Sequence, residues 1–367
     1  MNIKMLDLDK MHNPIKEELL KGFEEVLNSQ RFILGHYVET FEKKLSEYMN
    51  TSFVIGVGNG TDAITIGLTA LGIKEGDEVI TTPFTFIATA ETIALRGAKP
   101  VFVDIEPDTY NISPYKIEEK ITDKTKVILP VHLYGHSADM DPIVDIAKKH
   151  NLYIIEDGAQ AIGVKYNNKN VCTIGDIGTL SFYPSKNLSA LGDGGAIITK
   201  NKTLYEKIKQ LRVHGATSKY YHESIGFNSR LDAIQAKFLS IKLKHLEEWN
   251  NRRRKIAQTY TEALKELVKT PVIKSYSTHI FHQYTIYTEK RDQLKNYLNE
   301  NQIPSQIHYP TPLHLQPAFS YLGYKEGDLP VAENSAKHVL SLPVHPYLED
   351  EDVEYIIEKI IKFYKED

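Results

Sequence analysis

The chain has 367 residues, a hydrophobic fraction of 41% and a formal net charge of −4. That length exceeds what one hydrophobic core usually supports and predicts two unequal domains, while the mild negative charge, with no run of five or more like charges, excludes an electrostatic footprint for nucleic acid or an anionic membrane surface. The single cysteine, Cys172, excludes an intrachain disulfide and a cysteine zinc cluster; no metal is expected, and Cys172 reads as a packing residue in a reducing compartment rather than a nucleophile.

In chain order, the opening MNIKMLDLDKMHNPIKEELL has neither a continuous apolar core nor a small-residue cleavage site, so it does not read as a signal peptide. No later stretch is long and apolar enough to span a bilayer, and the expected location is the cytoplasm. Short apolar runs then recur at 53–58, 77–84, 99–105, 126–133, 152–157, 179–184 and 195–199, with helical patterns at 61–72, 86–96, 141–150 and 203–211. Such alternation predicts crossover units and a mostly parallel sheet. Between about Leu231 and Leu267, the residues Leu239, Leu243, Leu246, Trp249, Arg253, Ile256, Tyr260 and Leu264 fall at spacings of three and four, the pattern of one long amphipathic helix or two in tandem. Beyond it PVIKS and HQYTIY read as strands, 290–301 and 352–364 as helices, and 304–317 is rich in Pro and His. The division expected is a large α/β domain over 1–245 and a small α+β domain over 246–367.

Four segments sit where an open α/β sheet binds ligands, just beyond the carboxyl ends of strands. In GVGNGTDAI (56–64) a strand meets a helix, and a phosphate can sit on the backbone of Gly60, Thr61 and Asp62; the plainer alternative is a capped helix start. In PFTFIATAE (83–91), Phe84 or Phe86 can wall a flat heteroaromatic ring, or simply fill the core. In IIEDGAQAIG (154–163) a carboxylate ends an apolar strand, with Gln160 three residues later. An acid buried there needs a partner, and a protonated ring nitrogen is one, a cap on the next helix another. In TLSFYPSKNLSALGDGGAIIT (179–199), Lys186 lies in a small Gly- and Ser-rich loop between strands, which suits an amine of lowered pKa, and Ser181 can offer a hydroxyl to a phosphate.

These motifs, with FILGHYVETFEKKLSEY, PVFVDI, LPVHLYG, GFNSRLDAIQA and IHYPTPLHLQP, resemble the nucleotide-sugar aminotransferases of the DegT/StrS family over essentially the whole chain. The resemblance implies a fold-type I pyridoxal-phosphate transferase of aspartate aminotransferase-like architecture. It implies that Lys186 is the Schiff-base lysine and proton shuttle, that Asp157 pairs with the pyridine nitrogen, and that Gln160 contacts the ring hydroxyl. It further implies that Phe86 stacks on the ring, that Gly60, Thr61, Asp62 and Ser181 hold the phosphate, and that Asn228 reaches that phosphate from a neighbouring subunit in a homodimer with shared sites. Relatives that dehydrate keto sugars carry histidine in place of the lysine; Lys186 is retained, which favours transamination.

By the same resemblance the amino donor is L-glutamate and the acceptor a nucleotide-linked keto sugar, bound by Tyr183, Lys219, Tyr221, His308 and Tyr309. HYPTPLHLQPAFSYLGY and LSLPVHPYL look most like enzymes that aminate carbon 3, giving a dTDP-3-oxo-6-deoxyhexose as the expected substrate. A UDP-2-acetamido-3-oxo-uronate is the alternative, with Arg230 as the cation for its carboxylate. Two further readings are a cofactor-binding regulatory protein without catalysis, which lacks a visible DNA-binding module, and a fold-type I enzyme acting on amino acids alone.

Overall fold

The computed structural model describes residues 3–366. Strands β1 (Phe53–Val57), β2 (Glu78–Thr81), β3 (Lys99–Phe102), β4 (Thr125–Leu129) and β5 (Tyr153–Asp157) come first; a small ribbon of β6 (Lys165–Tyr166) and β7 (Lys169–Asn170) precedes β8 (Ile177–Ser181) and β9 (Gly195–Thr199). Seven of these form one sheet in the order β1-β9-β8-β5-β4-β2-β3. The pairs β2·β3, β2·β4, β4·β5 and β5·β8 are parallel, whereas β9 runs against both β8 and β1. A direct loop over residues 182–194, with no crossover helix, forces β9 to turn back antiparallel. Because β9 opposes both neighbours, β1 points the same way as β2, β4, β5 and β8, and the four segments singled out above emerge at one edge of the sheet.

Helices α1 (Leu8–His12), α2 (Lys16–Ser29), α3 (His36–Met49), α4 (Gly60–Ala70), α5 (Ala88–Leu95), α6 (Met140–His150), α7 (Lys202–Leu211) and α8 (Ala233–Lys242) accompany the sheet, and an exposed hairpin of β10 (Ala216–Ser218) and β11 (Tyr221–His222) follows α7. The strand interiors are apolar on both faces, as sheets covered on two sides require: Ile55 and Ile155 pack with α4, while Ile128, Ile154 and Ile198 meet a second layer with Phe41 and Leu45 of α3. Sequence patterning gave no expectation for α2 and α3, which carry buried Leu19, Val26, Phe41 and Leu45 at helical spacing.

The long amphipathic stretch is two helices in tandem: α8 gives way to a 3-10 turn at Leu243–His245 and then to α9 (Leu246–Leu264). A separate core joins Ile256, Tyr260 and Leu264 of α9 to the antiparallel pair β12 (Tyr284–Tyr287) and β13 (Val339–Leu342) and to α10 (Arg291–Glu300) and α12 (Asp350–Lys365). Ile3 packs into that second core from the start of the chain. Helix α11 (Pro330–His338) leads into β13. PVIKS is not a strand. Pro271 has no N–H for a ladder, and the Lys274 backbone N–H is taken by His136 Nε2 at 3.2 Å while its Nζ donates to Asp108 at 3.1 Å, so side chains of the sheet domain claim the segment. Among the described residues no helix is long and apolar enough to cross a membrane.

Candidate active site

At the carboxyl edge of the sheet lies a cavity of about 690 Å³ whose walls include Gly60, Thr61, Asp62, Phe86, Asp157, Gln160, Ser181, Tyr183, Lys186, His308 and Tyr309. One wall is the start of α4. Asn59 caps it, its Oδ1 accepting the Asp62 N–H at 2.8 Å. First-turn amides have no acceptor within their helix, so with Asp62 engaged, the N–H groups of Gly60 and Thr61 remain for an anion, which the helix dipole favours. The Asp62 amide, also expected to meet the phosphate, is held here by its own cap. Glycine at 60 is a packing requirement, since a Cβ there would stand 2.8 Å from Ser181 Cβ at the end of β8, and one on Gly195 would stand 2.4 Å from the Asn59 carbonyl oxygen.

The floor is Asp157, 4% exposed. Its Oδ2 accepts from Thr89 Oγ1 at 2.8 Å, and Oδ1 accepts the Ala159 N–H at 3.1 Å. The second bond is a turn without a following helix, so the capping alternative survives only in that local form. Thr85 lies 3.2 Å from Thr89, hydroxyl to hydroxyl. Lys186 rises from the β8–β9 loop, its N–H bonded to Tyr183 O at 2.8 Å. The residue is half-exposed because it borders the cavity, yet protein encloses it elsewhere. Burial lowers its amine to about 8, with the Asp157 charge acting in the opposite sense, which leaves roughly a tenth of it neutral and nucleophilic at pH 7, against well under a thousandth for an ordinary lysine.

Phe86 is 57% exposed and borders the cavity, whereas Phe84 is fully buried against Tyr110 and Tyr309 and offers no stacking face there. Gln160 is held at both ends: Oε1 accepts the Tyr134 N–H at 2.7 Å and Nε2 donates to Tyr309 Oη at 3.1 Å. His308, whose carbonyl accepts from Tyr134 Oη, pairs through Nδ1 with Ser341 Oγ at 2.9 Å. Burial and then the charge of Lys186 bring its ring down to about 4, so it is neutral at pH 7.

Lys219, Tyr221, Asn228 and Arg230 do not border this cavity. Tyr221, on the β10–β11 hairpin, is 63% exposed, and Lys219 and Asn228 are exposed as well. What ties their segment to the cavity is Ser229, whose buried hydroxyl donates to Asp62 Oδ2 at 2.6 Å and accepts the Gly58 N–H at 3.0 Å. Sequence reasoning also missed Thr89, Asp193, Ser185 and His282, all of which line the cavity. Thr89 gives no sequence signal, and His282 is one of 14 histidines inside an ordinary strand entry. Cys172 is 1% exposed, and burial pushes its thiol well above the usual range, the environment of a packing residue.

The model of the DegT/DnrJ/EryC1/StrS aminotransferase family matches residues 13–361. Among curated proteins, the chain is 53% identical to the pleiotropic regulatory protein of Geobacillus stearothermophilus, over 100% of this chain and 99% of that one. It is 42% identical to UDP-2-acetamido-2-deoxy-3-oxo-D-glucuronate aminotransferase of Pseudomonas aeruginosa, over 96% and 98% of the two chains. It is 41% identical to dTDP-3-amino-3,4,6-trideoxy-alpha-D-glucose transaminase of Streptomyces venezuelae, over 95% and 92%. The solved structure of S. venezuelae DesV in complex with a ketimine intermediate superposes with a TM-score of 0.97 at 40% identity, covering 99% of each chain.

Proposed function

This chain belongs to the DegT/DnrJ/EryC1/StrS aminotransferase family and is a pyridoxal-phosphate-dependent aminotransferase, and we propose that it moves the amino group of L-glutamate to carbon 3 of a nucleotide-linked 3-oxo sugar, a dTDP-3-oxo-6-deoxyhexose, yielding a dTDP-3-amino-3,6-dideoxyhexose. The observation that carries the cofactor chemistry is the convergence, in one cavity, of a buried carboxylate, an amine lowered to about 8 and a helix start with free amides; the sugar is supported by the relative from Streptomyces venezuelae, named as a dTDP-3-amino sugar transaminase.

These residues fit the cofactor. The Gly60 and Thr61 amides with the Ser181 hydroxyl would hold its phosphate, Phe86 would cover the ring, Gln160 would meet the ring hydroxyl and Asp157 would keep the ring nitrogen protonated. Bound pyridoxal phosphate supplies an electron sink for negative charge left on a substrate carbon. Lys186 would be the residue that holds the cofactor, and its amine, lowered to about 8, would move the proton at the substrate carbon as general base and acid. Thr89 fixes Asp157 by donating to its Oδ2, and neutral His308, with Tyr309 and Tyr183, would hydrogen-bond the sugar. Lys219, Tyr221 and Asn228, exposed and outside their own cavity, serve the cavity of a second copy in a homodimer. The small domain comprises residues 246–367.

A specific observation favours a second substrate, a UDP-2-acetamido-3-oxo-uronate: half-buried Arg230, which like Asn228 lies outside its own cavity and would serve that of a second copy, has no carboxylate partner among the described residues, and the relative from Pseudomonas aeruginosa bears the name of such an aminotransferase. The test is the absorbance of purified protein with pyridoxal phosphate before and after L-glutamate, in wild type and Lys186→Ala, followed by dTDP- and UDP-linked keto sugars. Bleaching by glutamate and recovery with the dTDP sugar is the expected result. Recovery with the uronate alone selects the second substrate, and recovery with neither removes the sugar assignment.

A further inference from the structure

His282 borders the cavity but none of the roles above uses it. It is 7% exposed and contacts Asn187, the residue after Lys186, with Nδ1 3.0 Å from Asn187 Oδ1. Asn187 Nδ2 in turn donates to Asn250 Oδ1 at 2.8 Å and towards Ile280 O at 3.5 Å, and Asn250 Nδ2 donates to Ile162 O at 3.4 Å. Asn187 and Asn250 are 5% and 0% exposed.

The polarity of this chain follows from its two backbone ends. A carbonyl only accepts, so Ile162 O fixes which end of the Asn250 amide faces it, and the opposite end, Oδ1, faces Asn187. Asn187 must then present its N–H₂ to Asn250 and to Ile280 O, which turns its oxygen towards His282. An oxygen acceptor there requires a proton on His282 Nδ1. Burial, and after it the positive charge on Lys186 and Arg253, holds the ring well below the usual histidine range, so the imidazole is neutral and its other nitrogen carries a lone pair. Among the described residues no hydrogen bond uses that Nε2, and His282 lines the cavity.

We propose that His282 is a specificity-determining residue, presenting Nε2 to the cavity as a fixed hydrogen-bond acceptor for a hydroxyl of the sugar substrate. The inference rests on the sugar reading above. The cavity serves two substrates in turn, and they differ in the groups they offer an acceptor. The carboxylates of glutamate have no proton to give and are repelled by a lone pair; a sugar hydroxyl donates to it. A buried polar group built to take a hydroxyl discriminates against the analogue lacking it, because it is then left without a partner. His282 therefore acts in the sugar half of the reaction and is indifferent to the donor half. Asn187 and Asn250 are positioning residues that hold its tautomer, and through Ile162 they tie it to the segment that carries Asp157 and Gln160.

The experiment compares wild type, His282→Phe and the more conservative His282→Gln. Binding of dTDP-6-deoxyglucose and of its 2- and 4-deoxy analogues to the cofactor-free protein is measured by calorimetry, and bleaching of the loaded enzyme by glutamate is followed in parallel as a control for fold and site. The expected result is that wild type prefers the parent over one deoxy analogue by about tenfold, the worth of one hydrogen bond near 1.4 kcal/mol. In His282→Phe that preference vanishes, in His282→Gln it is partly kept, and the glutamate half-reaction stays near wild type in both. An unchanged preference in His282→Phe overturns the inference, as does equal loss of both half-reactions, which marks a purely structural role. If wild type binds none of the dTDP sugars or their UDP counterparts, the sugar reading falls, and the inference with it.

Discussion

Glu156 and Asp157 are consecutive carboxylates at the end of one strand, and their surroundings differ completely. Strand alternation sends them to opposite faces. Glu156, fully buried, is saturated: Oε2 takes His132 Nε2 at 2.9 Å and the Cys172 N–H at 2.7 Å, and Oε1 takes the Ile174 and Gly175 N–H groups, both at 2.7 Å. His132 Nδ1 accepts the Ala138 N–H at 3.1 Å, so its proton sits on Nε2 and points at Glu156. Asp157 has one hydroxyl and one amide and borders the cavity. The first carboxylate has spent its hydrogen-bonding capacity on holding the 172–175 turn against the sheet; the second keeps capacity in reserve. Chemistry sits where that capacity is left over.

The largest effect expected from this contrast is on catalysis. Asp157→Asn keeps size and both contacts, its oxygen accepting the Ala159 N–H and its amide donating to Thr89 Oγ1, which can turn its own proton to Thr85, but removes the charge that holds a ring nitrogen protonated, so kcat for glutamate turnover falls by roughly 10²–10⁴, while thermal unfolding moves little. A variant of near-normal kcat breaks the contrast. Glu156→Gln is its mirror image. An amide can accept at only one end, so at least one of the four donors faces another donor, and stability falls by about 3 kcal/mol, read as a lower melting temperature, with kcat of the folded fraction near wild type.

A third measurement sharpens the contrast by following the amine that the open side leaves reactive. In the cofactor-free protein, capture of pyridoxal phosphate requires neutral Lys186, so its rate rises as pH passes upward through about 8 and levels off above it. The linkage has a definite sign. The folded amine, at about 8, lies below its ordinary 10.5; between those values the unfolded chain binds a proton that the folded chain does not, so stability of the cofactor-free fold rises with pH across that window. Lys186→Met removes that component of the rise. A capture rate that climbs only near 10.5 denies the lowered amine.

The same contrast explains what was legible. Apolar runs located the strands to within a few residues because buried parallel strands leave no other pattern, and Lys186, Asp157 and Gly60 stood out because a polar or glycine residue follows each apolar run abruptly. The assignment of Asp157 over Glu156 came from resemblance, since alternation says the two diverge but not which face holds the cavity. Thr89, His282 and the Asn187–Asn250 relay were illegible: each gains its role from a partner 63 to 95 residues away, and nothing local marks it. PVIKS misled for the same reason, its backbone being claimed by His136 across the fold.

The smallest effect concerns Ser229, which stands between the sealed and the open carboxylate in kind. Its hydroxyl bridges Asp62 Oδ2 and the Gly58 N–H, so it braces the loop and first turn that offer the Gly60 and Thr61 amides, without itself bordering the cavity. In Ser229→Ala the Gly58 N–H and the Asp62 carboxylate each lose a partner, about 1 kcal/mol in a site that water partly reaches. Because the brace orients the amides rather than supplying one, the loss appears as a several-fold weaker dissociation constant for pyridoxal phosphate, measured by fluorescence titration, with kcat at saturating cofactor unchanged. Asn59→Ala provides the comparison. Removing that cap costs a similar energy but frees the Asp62 N–H for the anion, so cofactor affinity falls less than in Ser229→Ala. The reverse order of affinities places the brace at Asn59 and leaves Ser229 as packing alone.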